Sequence, residues 1–271
     1  MNGKKILIAG CGNIGTAMAK GFRKSGMIKE ENLKLTARSE NTINRLTKMG
    51  FFVSNDNASG VSWADIIIIA VTPQQMNDFL EQIREHIKPE KHTIFSVVSG
   101  VSCATICERL ACDVPVVRIM PNTASAICES MTCIAHDHAP TVAVDDALEL
   151  FGFIGETIIL PEPMMVPATV LCACGTAFFL RAIRAASQGG IEIGFHPEQA
   201  IPIAAQVAKG AAALLTSSDN HPETEIDKVT TPRGSTITGL NVMEHQGFSS
   251  AMIQGILASF RKTSEIYGDK K

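Results

Sequence analysis

The sequence predicts an α/β protein in which a doubly wound parallel sheet is followed by an all-helical domain. Short apolar runs alternate with helical periodicity from the N-terminus to about residue 160. After Pro161-Glu162-Pro163 the strand-like runs nearly disappear and helical periodicity takes over. Strands that alternate with helices are typical of a parallel sheet covered on both faces. We therefore predict a sheet domain over residues 1–162 and a helical domain over residues 163–271.

Each element of the sheet domain follows from an apolar run or a helix signal. Ser102 is placed to cap one of these helices, and Gly26 to end another in the left-handed conformation. The predicted strands are Ile6–Ala9, Leu33–Ala37, Phe51–Val53, Asp65–Val71, Thr93–Val98, Val114–Ile119, Thr132–Ala135 and Thr157–Leu160. The predicted helices are Asn13–Ser25, Glu40–Met49, Gln75–Ile87, Cys103–Ala111 and Val142–Phe153.

The helical half is predicted from wide apolar faces with period 3.6. Small residues on these faces favour close packing, partly against a second subunit. The predicted helices are Met165–Ala173, Thr176–Gln188, Pro197–Thr216, Ser235–His245 and Ser249–Tyr267.

A glycine motif follows the first predicted strand. Residues 10–15 read G-C-G-N-I-G and fit G-x-G-x-x-G between a strand and a helix. In a Rossmann-type dinucleotide site Gly10 makes the turn, Gly12 admits the pyrophosphate and Gly15 lets the helix pack closely. The first helical N–H groups, at Asn13 and Ile14, would face the phosphate. A strand-to-helix turn without a ligand is the alternative for the motif alone.

The end of the second strand decides between the two nicotinamide cofactors. An NAD site has an acid at this position to bind the ribose 2′-hydroxyl, whereas an arginine suits a 2′-phosphate. Arg38 and Ser39 occupy the position, and no acid precedes Glu40. The sequence therefore favours NADP(H) over NAD(H), and an exposed loop arginine is the alternative interpretation.

Two further strand ends are candidate contacts for the cofactor. Val71 ends the apolar run Asp65–Val71, and Thr72 and Pro73 follow it; Met120 and Asn122 follow the predicted strand Val114–Ile119. Ligands in open α/β sheets bind outside the carboxyl ends of the strands. We therefore add these five residues to the predicted cofactor site.

Composition excludes several other classes of function. The chain has 271 residues, 45% hydrophobic and 19% charged, with a net charge of −3, so nucleic acid is not an expected partner. We find no run of roughly 18 uninterrupted apolar residues and no signal peptide, and therefore expect a cytoplasmic protein without a membrane segment. The eight cysteines form no C-x-x-C pair, which predicts reduced thiols and no metal site.

A polar, hydroxyl-rich segment, residues 218–240, interrupts the helical half. Thr231, Ser235 and Thr236 precede or begin a predicted helix, whose N–H groups favour an anion such as a carboxylate. An ordinary capped loop between helices is the alternative.

Taken together, the motifs resemble those of the pyrroline-5-carboxylate reductase family from end to end. The resemblance lies in GCGNIG, in AVTPQ at 70–74, in Ser99-Gly100, in RIMPNT at 118–123 and above all in HPETEIDKVTTPRGSTITGL at 221–240. It implies NAD(P)H-dependent reduction of 1-pyrroline-5-carboxylate to L-proline, the last step of proline biosynthesis. It also implies homodimers or larger rings such as a decamer.

The resemblance assigns roles to individual residues. Thr231, Gly234, Ser235 and Thr236 would bind the substrate carboxylate, and Thr236 would also orient the imine. Asp219 occupies a position where the family often carries an acid near the ring nitrogen. Reduction of an imine needs no separate catalytic dyad, because the substrate nitrogen can be protonated before hydride arrives.

The chain also departs from the family pattern. The family usually has lysine at Thr72, proline at Ala124, and glycine at Ser130 and Arg233. Its SGSGPAY segment reads CACGTAF here, at 172–178. Two alternatives therefore stay open: a reductase or dehydrogenase of a related imine or 3-hydroxyacid, for which Lys209 would be the acid, and a catalytically weakened relative that binds NADP.

Overall fold

The computed structural model describes residue 1 and residues 3–267. Two compact units divide the chain. The first comprises Met1–Cys174 together with the chain from Phe260 onward, and the second comprises Gly175–Ser259. We describe each unit separately.

The first unit is built on an eight-stranded sheet of order β3-β2-β1-β4-β5-β6-β7-β8. All neighbouring strands are parallel except β6 and β7, which pair antiparallel. The strands are β1 (Ile6–Ala9), β2 (Leu33–Thr36), β3 (Phe52–Ser54), β4 (Ile66–Ile69), β5 (Thr93–Ser96), β6 (Val116–Met120), β7 (Ser130–His136) and β8 (Gly155–Ile159).

Helices cover both faces of this sheet, and alternate strand residues bury into two separate clusters. Ile6 and Ile8 of β1 face the cluster of Phe22, Phe95 and Phe151, whereas Leu7 and Ala9 face the other. The helices of this unit are α1 (Asn13–Ser25), α2 (Glu40–Lys48), α3 (Asn57–Trp63), α4 (Met76–Ile83), α5 (Cys103–Leu110), α6 (Thr141–Gly152) and α7 (Met165–Ala168). A π-helical turn, Thr169–Cys174, follows α7.

The second unit is entirely helical in the part of the chain that the structure describes. Its helices are α8 (Gly175–Glu192), α9 (Pro197–Thr216), α10 (Pro222–Lys228), α11 (Ser235–His245) and α12 (Phe248–Tyr267), the last of which continues into the first unit. Large apolar side chains on α8, α9 and α12 are exposed, among them Phe179, Leu180, Val207 and Ile253.

The predicted fold class, a doubly wound sheet followed by a helical region, is confirmed. Two helices were not predicted. The seven-residue α3 contains Gly60, which weakens a helical pattern, and α10 lies within the segment interpreted as a polar loop. The boundary predicted between residues 162 and 163 differs from the division after Cys174, because Met165 and Ala168 pack against β6 and β7.

One helical stretch of the described chain, Glu162–Glu192, passes the length and composition test for a membrane span, with a mean hydropathy of 1.7. The stretch contains no uninterrupted apolar run of the required length, but the mean hydropathy of its most apolar 18 residues is that of a membrane-spanning helix. Only 22% of its apolar window is buried within the chain. Most of this apolar window is therefore exposed in the single chain.

Candidate functional site

A cavity of about 480 Å³ opens at the carboxyl ends of β1, β2 and β4. This is the edge of a doubly wound sheet at which ligands bind. Residues from four segments line it: Gly10, Cys11 and Gly12; Thr36, Ala37, Arg38, Ser39 and Thr42; Asn55 and Asn57; Ala70, Val71, Thr72, Gln75, Asp78, Phe79 and Gln82.

The three motif glycines have different surroundings. Gly10 has φ +90°, and a Cβ there would lie 2.7 Å from Val71 Cγ1. A Cβ on Gly15 would lie 2.9 Å from the Gly10 carbonyl oxygen, so this glycine permits close packing of α1 on the turn. A Cβ on Gly12 would meet no atom within 4 Å. Gly12 is therefore open toward the cavity, whereas Gly10 and Gly15 are held by the fold.

The glycine loop fits a dinucleotide pyrophosphate. Helix α1 begins after Gly12 without a side-chain cap, so its first N–H groups remain available to an anion. Burial raises the pKa of the Cys11 thiol to about 12, so the loop carries no negative charge at neutral pH. The backbone N–H groups of Gly10 and Cys11 donate to the Thr36 carbonyl at 3.0 and 3.1 Å, which holds the loop against β2.

Arg38 and Ser39 both line the cavity, as expected for cofactor contacts. The Arg38 side chain is exposed. Ser39 also caps α2, because its hydroxyl oxygen accepts from the Thr42 N–H at 3.2 Å. Arg38 is therefore the group at this strand end that bears charge, and Ser39 has a structural role beside it.

The residues predicted at the end of β4 are placed in part at the cavity. Val71 and Thr72 line it, whereas Pro73 begins the 3-10 turn that follows and is not part of the wall. The Thr72 N–H donates to Gln75 Oε1 at 3.4 Å.

Met120 and Asn122 lie outside the cavity wall. Met120 is buried with Cys133 and Ala168. The Asn122 side chain is held at both ends, because its Oδ1 accepts from the Ala124 N–H at 2.9 Å and its Nδ2 donates to the Cys172 carbonyl at 3.1 Å. Asn122 therefore connects the end of β6 to the π-helical turn.

The cavity wall also contains polar residues that were not predicted, among them Thr42, Asn55, Asn57 and Gln82. The Asn57 Nδ2 donates to Gln82 Oε1 at 3.0 Å, which joins α3 to α4 on the wall. The Asp56 side chain accepts from the Ser59 N–H at 2.9 Å and so caps α3. Asp56 is a helix-capping signal in the sequence, and it would have placed a helix beginning, with Asn55 and Asn57 beside it, after the end of a strand.

In the second unit, Thr231 and Gly234 are in direct contact at the beginning of α11. The Gly234 N–H donates to the Thr231 carbonyl at 2.9 Å, and a Cβ on Gly234 would lie 2.4 Å from Thr231 Oγ1. Helix α11 begins after Gly234 without a side-chain cap. Thr231, Ser235 and Thr236 are exposed there. The uncapped N–H groups and these hydroxyls are donors suited to a carboxylate.

The other residues considered in this unit are also exposed. Asp219 lies in the turn between α9 and α10, and Lys209 lies within α9. Arg233, just before α11, has φ +61°, a left-handed conformation that favours glycine.

The fold and the cavity define a dinucleotide-binding oxidoreductase. Residues 5–100 match the family model described as NADP oxidoreductase coenzyme F420-dependent, and residues 162–266 match the model for pyrroline-5-carboxylate reductase dimerisation. Pyrroline-5-carboxylate reductase 2 of Dictyostelium discoideum is 48% identical over 97% of this chain and 93% of its own length. The chain belongs to the pyrroline-5-carboxylate reductase family, as the motifs indicated.

Other relatives agree with this membership. Pyrroline-5-carboxylate reductase 1 of D. discoideum is 50% identical over 98% of this chain, which spans only 50% of that relative's length. The reductase of Methanosarcina acetivorans is 32% identical over 98% of this chain and 99% of its own. Among solved structures, a Plasmodium falciparum pyrroline carboxylate reductase with NADP bound has a TM-score of 0.89 at 22% identity, covering 99% of this chain and 100% of that one.

Proposed function

We propose that this protein reduces 1-pyrroline-5-carboxylate to L-proline with NADPH. The observation that carries the proposal is the cavity at the glycine loop in a chain whose near-full-length relatives are reductases of this name. One NADPH and one proton are consumed for each imine reduced, and L-proline and NADP⁺ are the products.

The cavity and the beginning of α1 support the assignment of the cofactor residues. The N–H groups that begin α1, at Asn13, Ile14 and Gly15, would bind the pyrophosphate beside Gly12. Arg38 would bind the ribose 2′-phosphate, with Ser39 and Thr42 beside it. When bound, NADPH supplies the hydride.

The beginning of α11 supports the assignment of the substrate residues. The exposed hydroxyls of Thr231, Ser235 and Thr236, with the uncapped N–H groups after Gly234, would bind the substrate carboxylate. Thr236 would hold the ring nitrogen, and Asp219 would lie near it. These groups orient the imine, and binding in one orientation is the largest contribution that positioning residues make to such a reaction.

The chain self-associates through its helical half. The dimerisation family model covers residues 162–266, which include the apolar stretch Glu162–Glu192. We propose that a second subunit covers the α8 part of this stretch, where Phe179 and Leu180 are exposed, in a homodimer or a larger ring such as a decamer, and that the protein is cytoplasmic.

The test follows NADPH oxidation by absorbance with 1-pyrroline-5-carboxylate as substrate, beside NADH. We expect saturable turnover that favours NADPH. Thr236→Ala removes the hydroxyl assigned to the imine and should lower kcat/KM about 100-fold, which corresponds to about 2.7 kcal/mol of transition-state stabilisation. The matched control is Thr216→Ala, which removes an exposed hydroxyl at the end of α9 and should retain wild-type turnover.

NADPH binding without turnover of this imine would contradict the proposal and favour a binding protein. Turnover of a 3-hydroxyacid that Lys209→Ala abolishes, with none of the imine, would favour the dehydrogenase alternative. Equal loss in the Thr236 and Thr216 variants would contradict the role assigned to Thr236.

A further inference from the structure

Two cysteines are in contact beside Asn122. The Sγ atoms of Cys133 and Cys172 lie 3.2 Å apart, although 39 positions separate the residues in the chain. Cys133 belongs to β7, where it pairs with Met120 of β6, and Cys172 belongs to the π-helical turn. The turn packs against a small cluster that contains Met120, Cys133 and Met165.

The two thiols differ in exposure and acidity. Cys133 is 1% exposed, and Cys172 is half-buried. The Cys133 thiol donates a hydrogen bond to the Cys172 sulfur, which lowers the pKa of Cys172 to about 7. The same contact raises the pKa of Cys133. By contrast, burial raises the pKa of Cys103 to about 12. Cys172 therefore has the thiolate character that oxidants attack, with a second thiol beside it.

We propose that Cys133 and Cys172 form an oxidation site, which peroxides convert into an intramolecular disulfide. The Cys172 thiolate attacks the peroxide oxygen–oxygen bond and becomes a sulfenic acid, with release of water. The Cys133 thiol then displaces the sulfenic oxygen as a second water and closes the sulfur–sulfur bond. Two thiols are oxidised in total, and one hydrogen peroxide is reduced to two waters.

The bond requires a movement at the turn. A disulfide has its sulfurs about 2.05 Å apart, so the two Sγ atoms must approach by about 1.2 Å. Strand β7 is held between β6 and β8, whereas the π-helical turn belongs to no strand of the sheet. We therefore expect the turn to move. Its Cys172 carbonyl accepts from Asn122 Nδ2, so closure shifts the contact that connects the turn to the end of β6.

The expected effect on catalysis rests on the proposed function, whereas the bond itself does not. A misplacement of reacting groups by about 1 Å, even when it originates away from them, lowers rates by up to about 100-fold. We expect peroxide treatment to lower imine-dependent NADPH oxidation about tenfold or more, and dithiothreitol to restore it.

The direct test is peptide mass spectrometry of the full-length protein after hydrogen peroxide treatment. No Lys or Arg lies between Arg118 and Arg181, so trypsin alone leaves both cysteines on one peptide. Added cleavage after glutamate separates residues 130–149, with Cys133, from residues 157–181, with Cys172 and Cys174. A linked pair lighter by two hydrogen atoms, removed by dithiothreitol, is the expected product.

Three variants assign the bond. Cys172→Ser should lose both the linked peptide and the sensitivity to peroxide. Cys133→Ser should accumulate a sulfenic acid at Cys172 that dimedone traps. Cys174→Ser, the matched control from the same turn, should form the linked peptide as wild type does. Each activity is compared with that of the same variant after reduction.

Several results would overturn the proposal. One is a wild-type protein in which Cys133 and Cys172 stay unlinked after peroxide has oxidised other residues. Another is a linked peptide that persists in Cys172→Ser. A third is a covalent dimer instead of an intramolecular bond. A linked peptide that leaves turnover unchanged would overturn the effect on catalysis. A chain that forms the bond but never reduces the imine would contradict only the proposed function.

Discussion

Arg38 is the residue that we expect to carry the preference for NADPH. Among the described residues that line the cavity, Arg38 is the one with a cationic side chain, and it lies at the end of β2. A charge-assisted bond to the 2′-phosphate should be lost in Arg38→Ala, so we expect KM for NADPH to rise about 10- to 100-fold and KM for NADH to stay within about twofold. Initial-rate kinetics with both cofactors measure this.

Arg109→Ala is the matched control for Arg38→Ala. Arg109 is an exposed arginine of α5 that does not line the cavity, and its loss should change neither KM. Equal increases for NADPH and NADH in Arg38→Ala would contradict recognition of a 2′-phosphate by this residue.

Arg233 occupies a left-handed backbone position before α11, with φ +61°. This conformation costs a residue with a Cβ about 1–2 kcal/mol of folding free energy. Glycine avoids this cost, but it loses more conformational entropy on folding, which offsets about 0.5–1 kcal/mol of the gain. We therefore expect Arg233→Gly to raise the free energy of unfolding by about 0.5–1 kcal/mol, as measured by denaturant titration.

Arg233→Ala distinguishes the side chain from the backbone. It removes the guanidinium and keeps the Cβ, so its stability should stay near that of wild type. A gain in Arg233→Ala as large as that in Arg233→Gly would show that the charge, and not the backbone conformation, costs stability.

At the scale of elements, the turn between β1 and α1 contains one glycine that we expect to affect cofactor binding and another that we expect to affect stability. Gly12→Ala adds a methyl group that meets no protein atom within 4 Å but would enter the space that we propose for the pyrophosphate. We expect unchanged thermal stability and about 100-fold weaker NADPH binding, which calorimetry measures. Gly15→Ala places its methyl group 2.9 Å from the Gly10 carbonyl oxygen and should lower the melting temperature. Similar melting temperatures for the two variants would contradict this separation.

Much of the sheet could be predicted because its signals are local. The run Ile66–Ile69 is apolar on both faces, and α1 ends at Gly26 in the predicted left-handed conformation. The reversal between β6 and β7 was not predicted, although the nine residues that connect the two strands are fewer than a parallel crossover needs. Helix α3 was missed because Gly60 weakens its pattern. The reason for this glycine lies on another element, since a Cβ at position 60 would lie 3.0 Å from Leu7 Cδ1 of β1.

The residues of the candidate site also divide into those that local patterns predicted and those that they missed. The glycine loop and Arg38 were predicted from a motif and a strand end, and both line the cavity. Asn55 and Asn57 were missed because they reach the wall through the turn after β3. Asn122 was expected beside the cofactor, but its amide is held by Ala124 and Cys172, a contact between distant residues that the sequence does not reveal.

At the scale of the whole molecule, the apolar surface of the helical half predicts its assembly. Val207 of α9 and Val142 of α6 are each 67% exposed, but only Val207 lies in the dimerisation region. Val207→Asp would place a carboxylate in the proposed subunit interface, and we expect it to weaken the proposed dimer about 100-fold, whereas Val142→Asp should leave it intact. Light scattering after gel filtration measures the mass of each. Equal masses in both variants would place the interface elsewhere.

The position of β1 has a consequence for synthesis on the ribosome. This strand precedes both of its neighbours in the chain, yet it lies between β2 and β4, so one of its edges stays unpaired until residues 66–69 have emerged. An unpaired apolar edge is a template for aggregation. We therefore expect mutations that slow the pairing of these two strands to reduce the yield of soluble protein more than its equilibrium stability.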